Sequence, residues 1–185
     1  MMLYKTIKKR RRLALTDYRK RVALLKGDTP RIVVRKSNRG IIAQVVVFQP
    51  TGDKVLTGVS SNALRKFDWA PRSNTPTAYL TGLMLAKRAK KLNLEKLVLD
   101  IGLYKPGKSA VVFAAARGAV DGGLAVANSI AIDENRLKGA HIANYAKSAK
   151  GKGHQFAAYA EQKADPEKIV ETFENIKKKI MATNE

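Results

Sequence analysis

The sequence lacks cysteine and is poor in histidine. The absence of cysteine excludes a disulfide framework and any zinc site built on thiolates. The two histidines, His141 and His154, lie in separate segments, so we expect neither a metal site nor a nucleophile triad built on them. No apolar run reaches the roughly 20 residues of a membrane span. The N-terminus also lacks the apolar core of a secretory signal, and we therefore expect a cytosolic protein that contacts no membrane.

Acidic residues are also scarce. Fifteen Asp and Glu residues stand against 36 Lys and Arg residues, for a formal net charge of +21. The excess is uneven, because residues 1–40 hold 14 basic and 2 acidic side chains. Hydrophobic residues make up 45% of the chain, enough to form a core. The composition therefore predicts a folded domain preceded by a basic arm, with a polyanion as its partner.

Three β-branched runs predict a β-meander near the start of the domain. The runs cover residues 32–36, 41–48 and 54–60, and the two segments between them are rich in turn residues. The second run is apolar on both faces, which favours a position inside the sheet. The stretch "EKLVLDIG" predicts a further short, buried strand.

Helices are predicted on both sides of these strands. Thr16 or Asp17 caps a short first helix, and "TPTAYLTGLMLAKRAKK" predicts a long one, capped by Thr75 with Leu92 in its buried stripe. "KSAVVFAAARGAVDGG" predicts a strand or extended segment followed by a helix. Asp133 is the expected cap of a helix through "DENRLKGAHIANYAKSAK". The clearest helical pattern is "ADPEKIVETFENIKKKI", with Asp165 as its cap and Ile169, Phe173, Ile176 and Ile180 in one stripe.

The order of these elements predicts one α/β domain. Its sheet should be mixed, mainly antiparallel and packed by helices. We expect a basic arm at residues 1–15, the α/β domain at 16–150 and a helical C-terminal extension at 151–185. No internal repeat is apparent.

The basic arm is the first candidate binding site. Its cations are Lys8, Lys9, Arg10, Arg11 and Arg12, followed by Arg19, Lys20 and Arg21, which should lie on the outside of the first helix. Such residues neutralise phosphates and release counterions, so they favour nucleic-acid binding. A solvated tail or a localisation signal is the plainer alternative.

Two further places favour phosphate contacts. Arg31 and Arg35 share one face of the first strand, with Arg39 at the following turn, and arginine binds phosphate through a planar fork. An ordinary solvent-facing strand is the alternative. The long helix begins at Asn74 and Thr75 with Arg72 nearby, and free backbone N–H groups there bind anions, although ordinary capping explains the same residues.

An enzymatic alternative uses two carboxylates. Asp100 ends a buried strand and Asp121 ends a helix, and paired carboxylates form the two-metal sites of nucleases. The same residues are common at the ends of strands and helices. We therefore expect no enzyme, no cofactor and no metal, and keep a metal-dependent nuclease and a basic, sequence-indifferent nucleic-acid binder as alternatives.

Several blocks of the sequence resemble one known family. "TDYRKRVALLKGDTPRIVVRKSNRGIIAQVV", "SNTPTAYLTGLMLAKRAKK", "LDIGL", "VFAAARGAVDGGLAV" and "GAHIANYAK" occur in order across residues 16–147. They are similar to the ribosomal proteins of the large subunit that carry number eighteen in the universal naming and bind 5S rRNA. The details resemble the archaeal and eukaryotic branch rather than the shorter bacterial form.

The resemblance implies a structural, non-enzymatic protein of the large ribosomal subunit. Its expected partners are 5S rRNA, large-subunit rRNA and neighbouring proteins of the central protuberance, where it would help to anchor the 5S rRNA. The expected RNA contacts are Lys8, Lys9, Arg10, Arg11, Arg12, Tyr18, Arg19, Lys20, Arg21, Arg31, Arg35 and Arg39, with the helix start at Asn74 and Thr75 close to RNA. The family's Pro-His-Ser turn is replaced here by Ala127-Asn128-Ser129 after Val126, so no contact from that histidine is expected.

Overall fold

The computed structural model describes residues 7, 9–105, 107, 110–127, 132–148, 155–162 and 164–183. The strands are β1 (Arg31–Lys36), β2 (Ile41–Val47), β3 (Lys54–Ser60), β4 (Lys96–Asp100) and β5 (Ala125–Ala127), and a 3-10 helix (Ser61–Phe67) follows β3. The helices are α1 (Lys9–Arg12), α2 (Tyr18–Leu25), α3 (Thr75–Lys91), α4 (Val111–Asp121), α5 (Glu134–Lys138), α6 (Ala140–Ser148), α7 (Ala157–Ala160) and α8 (Ile169–Ala182). Lys8, Asn128, Ser129 and His154 lie outside the described residues.

The strands form one mixed sheet in the order β3-β2-β1-β4-β5. β1 pairs antiparallel with β2, and β2 pairs antiparallel with β3, as expected for a meander. β4 is parallel to β1, and β5 is parallel to β4, and these two ladders are shorter. A helix precedes each of these parallel strands, α3 before β4 and α4 before β5, because a tight turn cannot join two adjacent parallel strands. The predicted mixed, mainly antiparallel sheet is confirmed, and β2 is internal as predicted.

Helices α3 and α4 pack against the sheet and against each other. Alternate residues of β1 and β2 face them and are buried, including Ile32, Val34 and Ala43. The two helices touch backbone to backbone. A Cβ added to Gly82 would lie 1.9 Å from the carbonyl oxygen of Ala115, so any side chain there would push the helices apart.

Some predicted helix boundaries are wrong. The side chain of Asn74, not Thr75, caps α3 by accepting the N–H of Thr77, and Thr75 is the first helical residue. Leu92 follows the last turn of α3 and is 48% exposed, so it is not part of the buried stripe. α4 begins at Val111, and Ala110 before it is extended but not part of a strand, while Lys108 and Ser109 lie outside the described residues. The predicted helix after Asp133 is two helices, because Gly139 has a φ of +90° and ends α5.

The C-terminal helix α8 completes the core. Its predicted stripe is confirmed, since Ile169, Phe173, Ile176 and Ile180 are all buried against the rest of the chain. α8 begins at Ile169 rather than at Pro166. The carboxylate of Asp165 accepts the N–H of Glu167 and so closes the preceding turn instead of capping the helix. No helix in the described part of the chain is both long and apolar enough to cross a bilayer.

Candidate nucleic-acid interface

The basic arm carries one helical turn, α1, and its cations are open to solvent. Lys9, Arg10, Arg11 and Arg12 are all exposed. Arg10 donates from Nε to the hydroxyl of Thr16 at 3.1 Å, which links the arm to the start of α2. None of the described residues of the arm is buried, so their charges remain available to a partner.

Helix α2 extends the cationic surface. Asp17 caps it, as predicted, by accepting the backbone N–H groups of Arg19 and Lys20 at 3.0 and 3.2 Å. The side chains of Arg19 and Lys20 are exposed. Arg21 was expected to stay outside, but it is half-buried and turns towards the sheet. No residue of α2 is buried, and Val22 is 56% exposed, so α2 covers little of the core.

A groove of about 720 Å³ separates the arm and α2 from the segment that follows β4. We call it the basic groove, because four cations line it, Arg10, Lys20, Arg21 and Arg35, against two carboxylates, Asp17 and Asp100. Leu24, Leu99 and Leu103 are among the apolar side chains that line it. The groove therefore combines apolar surface with donors that suit phosphate oxygens.

Beside the groove, three arginines and two aspartates form a continuous arginine–aspartate chain. Arg21 Nη2 lies 2.8 Å from Asp53 Oδ1, and Arg31 Nη2 lies 2.8 Å from Asp53 Oδ2. Arg31 Nη1 lies 2.9 Å from Asp100 Oδ2, and Arg35 Nη2 lies 3.0 Å from Asp100 Oδ1. Each carboxylate thus joins the central arginine to an outer one.

The pKa of Asp53 reflects this arrangement. Burial would raise the pKa of the carboxyl group, but the hydrogen bonds and charges of Arg31 and Arg21 outweigh burial and lower it below its ordinary value. Asp53 is therefore ionised throughout the neutral range and holds both arginines.

The expected placement of Arg31 is wrong. Its side chain is 1% exposed, although the sequence placed it on an accessible strand face with Arg35 and Arg39. The central position of β1 explains the burial, because α2 and the turn before β3 bring Arg21 and Asp53 over it. A buried guanidinium needs paired carboxylates, and Asp53 and Asp100 supply them.

Arg35 lies at the edge of the groove and is 44% exposed. Its Nη1 donates to the carbonyl oxygens of Val34 and Asp100 at 2.9 and 2.8 Å. Gly102 makes room for it, since a Cβ at this residue would lie 3.0 Å from the guanidinium carbon, and its φ of +65° also favours glycine. Arg35 therefore has a fixed orientation while part of it still faces solvent.

Two other candidates lie on the open surface. Arg39 is exposed in the turn between β1 and β2, which the hydrogen bond from Ser37 N to Gly40 O closes at 2.8 Å. Tyr18 is half-buried and lines a second, shallower depression together with Arg11 and Arg19. The structure thus places the arm, α2 and the first hairpin turn where a large partner has access to them.

The start of α3 is not on this open surface. Thr75 is 4% exposed, and Asn74 uses its oxygen for the helix cap and its nitrogen for the hydroxyl of Tyr159. The guanidinium of Arg72 lies over the Tyr159 ring, 5.7 Å from its centre. The C-terminal segment therefore covers the helix start that the sequence suggested as a phosphate site.

The carboxylates proposed for a nuclease do not form a metal site. Asp100 is paired with Arg31 and Arg35, while Asp121 is paired with Arg117 and accepts the Tyr79 hydroxyl. Within the described ranges, no group of three or more His, Cys, Asp or Glu side chains is arranged to hold a metal ion.

Sequence reasoning missed the role of Asp53 and Gly102. Asp53 lies in a Pro-Thr-Gly-Asp segment that ordinary turn chemistry explains, and Asp100 and Gly102 lie in a plain strand end. The sequence did contain one indication, because arginines far outnumber acids here and the few acids are therefore expected to form ion pairs with them. Arg31 pairs with Asp53, 22 residues away, and with Asp100, 69 residues away. These pairings depend on strand register, which the sequence pattern does not specify.

Fold and groove together define a basic α/β protein with an open cationic surface. The model of one family, "Ribosomal large subunit proteins 60S L5, and 50S L18", matches residues 2–97. A relative, the "Large ribosomal subunit protein uL18" of Korarchaeum cryptofilum (strain OPF8), is 42% identical over 185 residues, which cover 97% of this chain and 95% of the relative.

The chain therefore belongs to this family of large ribosomal subunit proteins, in agreement with the resemblance noted in the sequence. It is a structural constituent of the large subunit in the cytoplasm rather than an enzyme. Its partners are accordingly rRNA and other ribosomal proteins.

Proposed function

We propose that this protein binds 5S rRNA and helps to anchor it in the central protuberance of the large subunit. The single observation that carries the proposal is the basic groove, where Arg10, Lys20, Arg21 and Arg35 converge beside an exposed arm. Membership of the ribosomal family supports RNA as the polyanion. The identity of that RNA as 5S rRNA rests on the resemblance in the sequence.

The proposed contacts follow the exposed cations. They are Lys9, Arg10, Arg11 and Arg12 of the arm, Arg19, Lys20 and Arg21 of α2, and Arg35 and Arg39 of the first hairpin, with Tyr18 beside them and Lys8 outside the described residues. Arginine side chains bind phosphate oxygens through two parallel hydrogen bonds, which gives orientation as well as affinity. Arg31 is absent from this set because it is buried, and Arg72, Asn74 and Thr75 are absent because the C-terminal segment covers the helix start.

The groove and the arm have different roles in the proposal. The exposed cations of the arm add charge, so they increase affinity for any RNA and make binding depend on salt. The groove also contains Arg21 and Arg35, whose ion pairs with Asp53 and Asp100 hold them in place, so these two arginines help to distinguish one folded RNA from another. We further propose contacts with large-subunit rRNA and with neighbouring proteins of the central protuberance.

The test is a titration of the purified protein with 5S rRNA and with an unrelated structured RNA of equal length, each at two salt concentrations. We expect a preference of more than about tenfold for 5S rRNA that persists at the higher salt. Equal binding to both RNAs that collapses with salt would contradict specific recognition and favour a sequence-indifferent binder. A DNA duplex serves as the control for charge alone.

A further inference from the structure

The arginine–aspartate chain connects the two sides of the basic groove. Its outer members, Arg21 and Arg35, line the groove together with Asp100, whereas Arg31 and Asp53 do not. The polar distances along the chain lie between 2.8 and 3.0 Å. The position of each outer guanidinium is thus tied to the buried one at the centre.

Burial makes the centre of the chain rigid. Arg31 is 1% exposed, and an unpaired charge at that depth would be strongly unfavourable, so both carboxylates must stay on it. Each carboxylate gives one oxygen to Arg31 and the other to an outer arginine. The second oxygen of each carboxylate is therefore fixed in position, and it fixes the position of the outer arginine that binds it.

Such fixed arginines differ from free ones in how they bind an anion. A free arginine loses its rotamer freedom when it binds phosphate, and this loss opposes binding. Arg21 and Arg35 lose that freedom when the protein folds. Among the contacts of the described residues, Arg21 uses only Nη2 for Asp53, so Nε and Nη1 remain available to a ligand in the groove.

We propose that Asp53 and Asp100 are positioning residues for RNA binding, which hold Arg21 and Arg35 at the basic groove through the buried Arg31. The inference rests on the proposed function, because it assumes that the groove binds RNA phosphates. It assigns acidic residues, which repel RNA, a favourable effect on RNA affinity.

The change Asp53→Asn separates positioning from charge. Loss of one negative charge by itself tightens RNA binding, whereas loss of a positioning carboxylate weakens it. Asp28→Asn is the matched control: it makes the same charge change just before β1, and Asp28 forms no ion pair with another described residue. Its φ of +44° is a conformation that asparagine also adopts, so the control should fold.

We expect Asp53→Asn to weaken binding to 5S rRNA about three- to tenfold, with a shallower dependence on salt because fewer phosphates are bound. Asp28→Asn should bind equally or slightly more tightly than the unchanged protein. Circular dichroism and thermal unfolding establish that both variants are folded. Binding by Asp53→Asn that equals or exceeds that of Asp28→Asn would overturn the proposal.

A second pair of variants tests Arg21, an outer member of the arginine–aspartate chain. This test does not depend on whether Asp53→Asn folds. Arg21→Gln removes a positioned arginine, and Arg19→Gln removes an exposed arginine on the same helix that has no ion pair with a described residue. We expect the larger loss of affinity for Arg21→Gln. If Asp53 merely neutralises Arg21, the loss of affinity for Arg21→Gln should be equal to or smaller than that for Arg19→Gln. That result would overturn the proposal.

The two proposals fail in different ways. If the unchanged protein shows no preference for 5S rRNA over the control RNA, the proposed function fails. If that preference is present but Asp53→Asn behaves like Asp28→Asn, only the positioning role fails.

Discussion

Three arginines of the first hairpin share a residue type but differ in their surroundings. Arg31 is buried between two carboxylates, Arg35 is held by Asp100 and by two carbonyl oxygens, and Arg39 is exposed in a turn. A guanidinium in water loses little when its partner is removed, whereas one in the interior loses its only compensation. The same substitution should therefore affect folding at Arg31 and binding at Arg39.

The lowered pKa of Asp53 predicts a pH-dependent contribution to stability. A carboxyl group with a lower pKa in the folded state stabilises the fold above its unfolded pKa of about 3.9, and this stability is lost as pH falls towards the folded-state pKa. Asp53→Asn should therefore lower the free energy of unfolding near pH 7 and should differ less from the unchanged protein below about pH 4. Urea unfolding at a series of pH values measures the difference.

The control for this prediction is again Asp28→Asn, which removes a carboxylate without removing an ion pair among the described residues. Its free energy of unfolding should follow that of the unchanged protein across the series. A constant difference for Asp53→Asn from pH 3 to pH 7 would show that the ion pairs do not explain its effect.

Among the elements, α1 and α2 differ from the longer helices in what supports them. α3, α4 and α8 bury continuous apolar faces, while α1 and α2 bury no side chain. A short helix has little stability of its own in water, so α2 depends on the cap at Asp17 and on the pair between Arg21 and Asp53. We expect bound RNA to order α1 further.

Removal of residues 1–15 should leave the rest of the chain folded but weaken RNA binding. The segment contains six basic residues, and the part of it that is described buries no side chain. The melting temperature should therefore change little. The slope of log affinity against log salt should fall by about 0.7–0.9 for each phosphate that the shortened protein no longer neutralises.

The matched control keeps the full length and replaces Lys9, Arg10, Arg11 and Arg12 by Gln. If charge is the reason for the effect, this variant should reproduce most of the decrease in affinity seen on truncation. A salt slope unchanged by the truncation would contradict a binding role for the arm.

At the scale of the whole molecule, the C-terminal extension belongs to the same core as the sheet. The Phe173 ring lies 5.4 Å from the Tyr79 ring and 6.4 Å from the Trp69 ring, measured between centroids. Phe173 comes from α8, Tyr79 from α3 and Trp69 from the segment that precedes α3. These three rings join the last helix to the helix that packs on the sheet.

Phe173→Ala should therefore destabilise the entire protein. Loss of a buried phenylalanine costs about 3–5 kcal/mol in the free energy of unfolding, because a cavity remains where the ring was. Chemical denaturation followed by the fluorescence of Trp69, the single tryptophan of the chain, measures the change. We expect one cooperative transition at a lower denaturant concentration.

Glu171→Ala is the control, since Glu171 is exposed on the same helix and its loss should change stability by less than about 0.5 kcal/mol. Equal effects of the two substitutions, or a separate early transition of the last helix, would contradict a shared core.

Local patterns in the sequence were sufficient to predict much of the fold. The three strands of the meander, the turn residues between them and the stripe of α8 depend on nearest neighbours and on helical spacing, and the structure confirms them. β5 was missed because three residues carry too little pattern to recognise. The cap of α3 was placed one residue late, because Asn74 and Thr75 are both good capping residues and backbone geometry chose between them.

The sequence by itself determined the polyanionic partner and the family, because net charge and sequence blocks are properties of the chain and do not depend on how it folds. The tertiary structure decided which cations remain available. It buried Arg31, positioned Arg21 and Arg35 through Asp53 and Asp100, and covered the start of α3 with the C-terminal segment. The physical reason is that burial and pairing depend on contacts between residues far apart in the chain, and sheet register and helix packing determine those contacts.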